Sequence, residues 1–297
     1  MELRQLRYTV AVADHLHFTR AAEALHVAQP ALSQQVRRLE TELGLELFTR
    51  TSRTVALTEV GEAVVARARR ILGEVDAIEQ DLDAMRGVLR GRVVIGAMQS
   101  LGPFDLPRLL SDFHAAHPGV DVVLREDTTQ RMLEMLRADQ LDLAVATIDA
   151  PPPGGLEVHP LYEEELVLAV APDHALAKRG RIRPAALPAG PFIFFKEGSG
   201  LHAATQRVLD AVGIEPQVRF ETSELSRVRA LASRGLGVAI MPRSDTEGPG
   251  PAVKTVGIGP PTLRRAVGLV WRAGRRRAPA AEAFLSFVLE WTAARRS

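Results

Sequence analysis

Apolar residues recur along this chain at intervals that change from one stretch to the next, and each change marks a new kind of element. Leu3, Leu6, Val10 and Ala13 fall three or four apart, which is one face of an amphipathic helix ending near His15. Thr19 is placed to cap a short second helix whose inner positions, Ala21, Ala22 and Leu25, include side chains small enough to let another helix pack close. After a turn at 26–28, Pro30 suits the first helical position. Leu32, Val36, Leu39 and Leu43 then form the buried stripe of a longer third helix, and Gly44 stops it. Residues 47–50 and 54–57 read as two short strands around the turn Thr51-Ser52-Arg53. Short helix, turn, longer helix and a two-stranded wing predict a winged helix-turn-helix over residues 1–58.

Thr58 caps the next helix, predicted over 59–90. Val64, Ala68, Ile71, Val75, Ile78, Leu82, Met85 and Leu89 alternate spacings of four and three, a heptad seam that closes at Gly87 and Gly91. A helix of about thirty residues reaches some 45 Å at 1.5 Å per residue, further than the N-terminal module could cover. The seam therefore predicts pairing with a second copy of the chain; a helix packed on its own chain is the alternative.

From residue 91 strands alternate with helices: strand 93–96, helix 103–116, strand 120–125, helix 129–138 and strand 141–146. A second set follows, with strands 166–171 and 192–195, helix 201–212, strand 217–221, helix 224–234 and strand 238–241. This predicts an α/β effector domain over 91–297 built as two similar lobes on parallel sheets. Lobe I takes about 91–161 and 267–297, with a strand at 267–271 and a closing helix at 280–293. Lobe II takes about 162–266, and segments 158–162 and 262–266 form the hinge.

Composition narrows the chemistry. The chain has no cysteine, so disulfides, thiolate nucleophiles, Cys-ligated zinc and iron-sulfur clusters are excluded. No apolar run reaches the roughly 18 residues of a membrane span, and no secretion signal opens the chain, which predicts a cytoplasmic protein without a membrane partner. The net charge of +1 decides nothing about nucleic acid, because the distribution over faces is what matters. What does bear on it is the outer face of the third helix, which carries Gln29, Pro30, Ser33, Gln34, Arg37 and Arg38. Gln pairs with adenine, Arg with guanine or phosphate, Ser with either a base or a phosphate, and Pro offers apolar contact to a thymine methyl. A solvated helix face is the plain alternative. Arg53 at the wing tip could enter a minor groove.

Phe18-Thr19-Arg20-Ala21-Ala22, Ala28-Gln29-Pro30-Ala31-Leu32-Ser33, Leu39-Glu40-x-Glu42-Leu43-Gly44-x-x-Leu47-Phe48-x-Arg50 and Leu57-Thr58-x-x-Gly61 together resemble the LysR-type transcriptional regulators. Ala28 departs from the serine frequent there and removes one hydroxyl from the DNA-facing turn. The resemblance implies contacts to double-stranded promoter DNA that also include Thr19, Arg20 and Arg50, and an interrupted inverted repeat as target. It further implies a linker helix that makes a homodimer or homotetramer, an effector domain like a type 2 periplasmic solute-binding protein, and RNA polymerase as a partner if the protein activates.

Four strand-to-helix junctions can supply ligand contacts: Gln99-Ser100-Leu101-Gly102, Asp127-Thr128-Thr129, Lys196-Glu197-Gly198-Ser199-Gly200, and Thr222-Ser223. Ligands of open α/β sheets bind beyond the carboxyl ends of the strands, where helix N-termini favour anions and hydroxyls supply aim. Each Ser or Thr could instead be a plain helix cap. Taken together they predict a small anionic organic effector between the lobes, touching Ser100, Leu101, Thr128, Phe195, Lys196, Ser199, Thr222 and Ser223. The resemblance supports Ser100 and Thr128 in particular. Phe194 and Phe195 suit an aromatic effector, or simply a buried strand.

Other classes fare worse. A secreted solute-binding protein leaves the first ninety residues unexplained. An enzyme on the same scaffold lacks a G-x-S-x-G, a Walker loop, a strand-linked G-x-G-x-x-G and a carboxylate pair at catalytic spacing, so no catalytic residue and no cofactor is assigned. His114 and His117 have no carboxylate at metal-site spacing, and no metal is expected. Arg275-Arg276-Arg277 reads as a solvated turn.

Overall fold

A computed structural model describes residues 1–50, 54–85, 88–148, 154–274 and 276–295. They fall into two compact units, one built mainly from Met1–Gly91 and the other from most of the remainder.

In the first unit, α1 (Leu3–His15), α2 (Phe18–Ala24) and α3 (Gln29–Leu43) precede a two-stranded wing, β1 (Phe48–Arg50) and β2 (Val55–Leu57), and α4 (Glu59–Met85) follows. Leu6, Val12, Ala21, Ala22, Leu32, Val36, Leu39, Leu47 and Phe48 share one core, each large apolar side chain contributing roughly 1.5–3 kcal/mol by leaving water. Leu43 stands outside that stripe at 38% exposure, because it is the last residue before Gly44 takes the left-handed conformation. The cap of α2 is His17, not Thr19: the His17 Nδ1 accepts from the backbone N–H groups of Thr19 and Arg20 at 3.2 and 3.4 Å. The wing pairs antiparallel, Phe48 with Leu57 and Arg50 with Val55. Thr58 ties the wing to α4, since its hydroxyl donates to the Glu46 carbonyl at 2.8 Å and accepts the Gly61 N–H at 2.9 Å. A side chain on Gly61 would put its Cβ 2.0 Å from the Leu47 carbonyl oxygen, so only glycine fits there.

The helix α4 is covered at its start and bare further on. Ala68 is buried, and Val64 packs against the same N-terminal core. Those two seam positions are therefore filled by the chain itself, which corrects the expectation that the N-terminal module could not reach them. Ile71, Ile78 and Leu82 are 41%, 60% and 49% exposed, and Val75 is half-buried.

The second unit begins with β3 (Gly91–Ala97), α5 (Leu106–Ala116), β4 (Val120–Glu126), α6 (Thr129–Arg137) and β5 (Leu143–Thr147). The 15-residue strand β6 (Leu156–Val170) follows, then β7 (Arg181–Ile182), β8 (Pro191–Phe195), α7 (Gly200–Ala211), β9 (Gln217–Thr222) and α8 (Leu225–Ser233). The unit closes with β10 (Ala239–Pro242), α9 (Arg243–Glu247), β11 (Lys254–Ile258), β12 (Arg264–Arg272) and α10 (Pro279–Ala293).

Strand order is β4-β3-β5-β12-β6-β11-β7, with β10 also on β6, while β8 and β9 pair in parallel. The sheet is mixed where a parallel one was expected: β3 and β5 run parallel, but β12 returns antiparallel to both β5 and β6. Residues 156–165 of β6 pair with β12, and from Leu166 onward the strand pairs with β10 and β11. The crossing thus lies at 163–165 opposite 264–266, a few residues beyond the expected 158–162, and inside one unbroken strand. Phe113 of α5 packs edge-on against Phe284 of α10 at 4.8 Å and also holds His117 at 4.9 Å. Leu166, Leu168, Phe192, Phe194, Leu209, Val228 and Ile240 anchor a separate core around β8.

Candidate functional site

The outer face of α3 is positioned by what lies beneath it. With Leu32, Val36 and Leu39 fully buried, helical periodicity turns Gln29, Pro30, Gln34, Arg37 and Arg38 outward, and all five are exposed, with Ser33 half-buried beside them. Arg38 Nε lies 3.6 Å from the Glu42 carboxylate in an exposed pair worth little, so a phosphate could readily compete for it. Thr19 and Arg20 are exposed in the first turn of α2, and Arg20 donates to the His15 carbonyl at 3.0 Å.

Arg50 has a different task. Its guanidinium donates to Glu40 at 2.6 Å and sits 4.6 Å above the Phe18 ring. The same Glu40 carboxylate accepts the Leu47 and Phe48 N–H groups at 3.0 and 3.3 Å. Glu40 and Arg50 therefore staple α2, α3 and the wing into one body. Arg53 lies outside the described residues.

The second unit holds a cavity of about 230 Å³ between the strand ends of its two halves. Of the expected contacts, Ser100, Thr128, Phe195, Lys196, Ser199 and Ser223 line it; Leu101 and Thr222 do not. The Leu101 carbonyl accepts the Tyr162 hydroxyl, and burial pushes that phenol's pKa up. The Thr222 hydroxyl is turned to its own turn, accepting the Glu224 N–H at 3.2 Å. The lining residues that sequence reading missed include Thr147, Leu225 and, above all, Arg265.

Ser100 is not at a helix N-terminus. The helix α5 begins at Leu106, capped by Asp105, and Ser100 sits in the preceding turn, 5% exposed. Its hydroxyl donates to Asp245 at 2.8 Å and accepts from Arg265 Nη2 at 2.7 Å, while the Ser100 carbonyl accepts from the same nitrogen at 3.0 Å. Arg265 is itself 1% exposed, and its Nε donates to Glu164 at 2.6 Å. Glu164 also accepts the Ser244 hydroxyl at 3.0 Å. Burial raises the Asp245 carboxyl above its usual range, with the Ser100 hydrogen bond and Arg265 pulling the other way. The group joins the β3–α5 turn, both crossing strands and α9 in one buried polar network.

The helix starts are also largely engaged. At α6, Arg131 N–H donates to the Thr128 hydroxyl at 3.4 Å, Met132 N–H to the Thr128 carbonyl, and Gln130 N–H to the Gly198 carbonyl across the cleft at 3.1 Å. At α7, the Ser199 hydroxyl accepts the His202 N–H at 3.1 Å. A Cβ on Gly200 would fall 2.3 Å from the Thr147 hydroxyl, so the two halves touch here through glycine. Among the described residues no helix is long and apolar enough to cross a membrane.

Known proteins share both parts. Residues 3–62 match the bacterial regulatory helix-turn-helix proteins of the lysR family, and residues 86–293 match the LysR substrate binding domain. The chain is 32% identical to the DNA-binding transcriptional dual regulator OxyR of Escherichia coli (strain K12), over 92% of this chain and 90% of that one. It is 35% identical to the RuBisCO operon transcriptional regulator of Allochromatium vinosum, over 97% and 96%. Among solved structures, a full-length OxyR from Pseudomonas aeruginosa with a cysteine replaced by aspartate gives a TM-score of 0.74 at 29% identity, covering 97% of this chain and 94% of that one. Full-length CbnR complexed with its target DNA gives 0.65 at 27%, covering 98% and 99%. With both halves matched in order and over nearly their whole length, the chain belongs to the LysR family of bacterial transcriptional regulators.

Proposed function

We propose that residues 1–58 read an interrupted inverted repeat in promoter DNA, that 59–90 pair two copies, and that 91–297 bind a small organic effector that sets the outcome. The observation that carries the DNA reading is the outer face of α3, where exposed Gln29, Gln34, Arg37 and Arg38 stand directly over a fully buried stripe. Base-reading groups on a rigid helix are what direct readout requires. Arg37→Ala should weaken binding to the protein's own promoter, by about 1–3 kcal/mol where Arg37 reads a base. Equal affinity of the wild type for that promoter and for scrambled DNA at moderate salt would overturn the reading.

The apolar stretch of exposed Ile71, Ile78 and Leu82 with half-buried Val75 supports pairing of α4 between copies, as a homodimer or, through further contacts, a homotetramer acting in the cytoplasm, with RNA polymerase as partner where it activates. The cavity supports an effector with an anionic group, because Lys196 lines it and forms no ion pair among the described residues. Several relatives are named hydrogen peroxide-inducible genes activators. With no cysteine, this chain cannot answer peroxide through a thiol, which favours a bound metabolite as signal and regulation, not turnover, as the task of the cleft.

A further inference from the structure

Resting on that reading of the cleft, we propose that its effector is dipolar: an amino acid with an apolar side chain, its carboxylate toward Lys196 and its ammonium toward Glu126 and Asp127. The cavity wall carries four charged side chains, Glu126, Asp127, Lys196 and Arg265. Arg265 is the buried cation there, but its Nε donates to Glu164 at 2.6 Å and its Nη2 to Ser100, so the pair with Glu164 brings no net positive charge to a ligand. The N-terminus of α6 is also spent, since the Gly198 carbonyl occupies the place beside Gln130 N–H where an anion would bind.

Three charged side chains remain. Lys196 follows β8 on one side of the cavity; Glu126 ends β4 on the other, and Asp127 follows it. Neither Lys196 nor Glu126 forms an ion pair among the described residues, and Asp127 uses one oxygen to accept the Thr128 N–H at 2.8 Å. A purely anionic ligand would face two uncompensated carboxylates, and a purely cationic one would face the lysine. A zwitterion satisfies both sides and bridges them.

The hydroxyls agree with this polarity. Thr128 and Ser199 each accept a backbone N–H on their oxygen and so keep the O–H proton for an acceptor such as a carboxylate. Met98, Leu201 and Leu225 provide an apolar wall for a side chain, in a volume of about 230 Å³.

The test uses the full chain and thermal shift with calorimetry. The probes are L-valine, L-leucine, L-methionine and L-phenylalanine, with isocaproate and isoamylamine as the leucine analogues lacking the ammonium or the carboxylate. At least one amino acid should bind and raise the melting temperature, and each single-charge analogue should bind roughly ten- to a hundredfold more weakly, the loss of one charged hydrogen-bond partner. Lys196→Met should bring the amino acid down to the level of the amine, and Glu126→Gln with Asp127→Asn to the level of the acid, both leaving promoter binding without ligand unchanged. Isocaproate binding as tightly as leucine overturns the dipolar assignment, as does failure of every amino acid to bind. Ser223→Trp, which fills the rim, separates this from the cleft reading itself. If an amino acid binds that variant as well as wild type, or the variant keeps a normal promoter response in cells, the cleft is not the effector site.

Discussion

Replacing Glu164 with glutamine changes one charge and almost no volume, yet it should be among the most damaging single substitutions in the effector unit. Arg265 is 1% exposed and Glu164 9%. With glutamine opposite, the guanidinium would keep its burial and lose its counter-charge. Removing one partner of a buried ion pair costs about 3–5 kcal/mol, because the remaining charge has neither water nor a partner. For a unit of this size each kcal/mol lowers the melting temperature by roughly 2–4 °C, which gives a fall of about 6–20 °C. The chain's two tryptophans, Trp271 and Trp291, both lie in the second unit, so intrinsic tryptophan fluorescence follows its unfolding without a signal from the DNA-binding module. Adding Arg265→Met to Glu164→Gln should recover much of the loss, since a neutral apolar side chain no longer needs the carboxylate. A melting temperature within about 2 °C of wild type for Glu164→Gln alone would refute the network as an internal ion pair, that being less than 1 kcal/mol on the same scale.

Three further outcomes follow from other parts of the chain. Gly61→Ala sets a methyl against the Leu47 carbonyl and should destabilise the junction of wing and α4 by about 1–3 kcal/mol or more, measured by hydrogen exchange of the Thr58 and Gly61 amides; unchanged protection would show that the contact relaxes freely. Ile71→Asp with Ile78→Asp should abolish dimers in sedimentation and weaken operator binding with them, whereas an unchanged sedimentation coefficient would move the interface elsewhere. Because burial raises the Asp245 carboxyl, the folded unit keeps a proton that the unfolded chain has released. Its contribution is therefore fullest below the ordinary aspartate range and is lost as pH rises through the raised value. Glu165, whose pKa is lowered chiefly by the hydrogen bond from Arg243, has the opposite sign. The difference between wild type and Asp245→Asn isolates the first effect: the variant should lose less stability across that interval, and parallel pH curves would exclude it.

How much of this was legible beforehand depended on how far apart the interacting residues lie. The stripe Leu32, Val36 and Leu39 and the stop at Gly44 are local, and so was the reading of α3 and its polar face. His17 as the cap of α2 was not, because Thr19 is the commoner cap and only the ring position decides between them. Ser100 read as a ligand contact because a serine after a strand is the usual sign of one. Its partners Arg265 and Asp245 lie 165 and 145 residues away, and no spacing rule reaches them. Residues 262–266 read in sequence only as a hinge segment, and it takes the pairing of β12 with β6 to place Arg265 opposite Glu164. The strands β7 and β11 and the helix α9 escaped notice because they are short and lie among prolines and glycines.

Strand β6 has a consequence for how such proteins can be recombined. One continuous backbone supplies an interior strand to both halves of the effector unit, with its first residues hydrogen-bonded to β12 and its last to β10 and β11. Neither half owns it, so neither can be excised and expressed with its sheet complete. A graft that exchanges only the far half must cut through 163–165 and 264–266, where there is no loop to absorb a mismatch. A single residue gained or lost at that join would turn Leu166, Leu168 and Val170 from one face of the sheet to the other. New ligand preferences in this scaffold are therefore reached by substitution around the cavity, while shuffling of whole pieces is confined to the join between the two units.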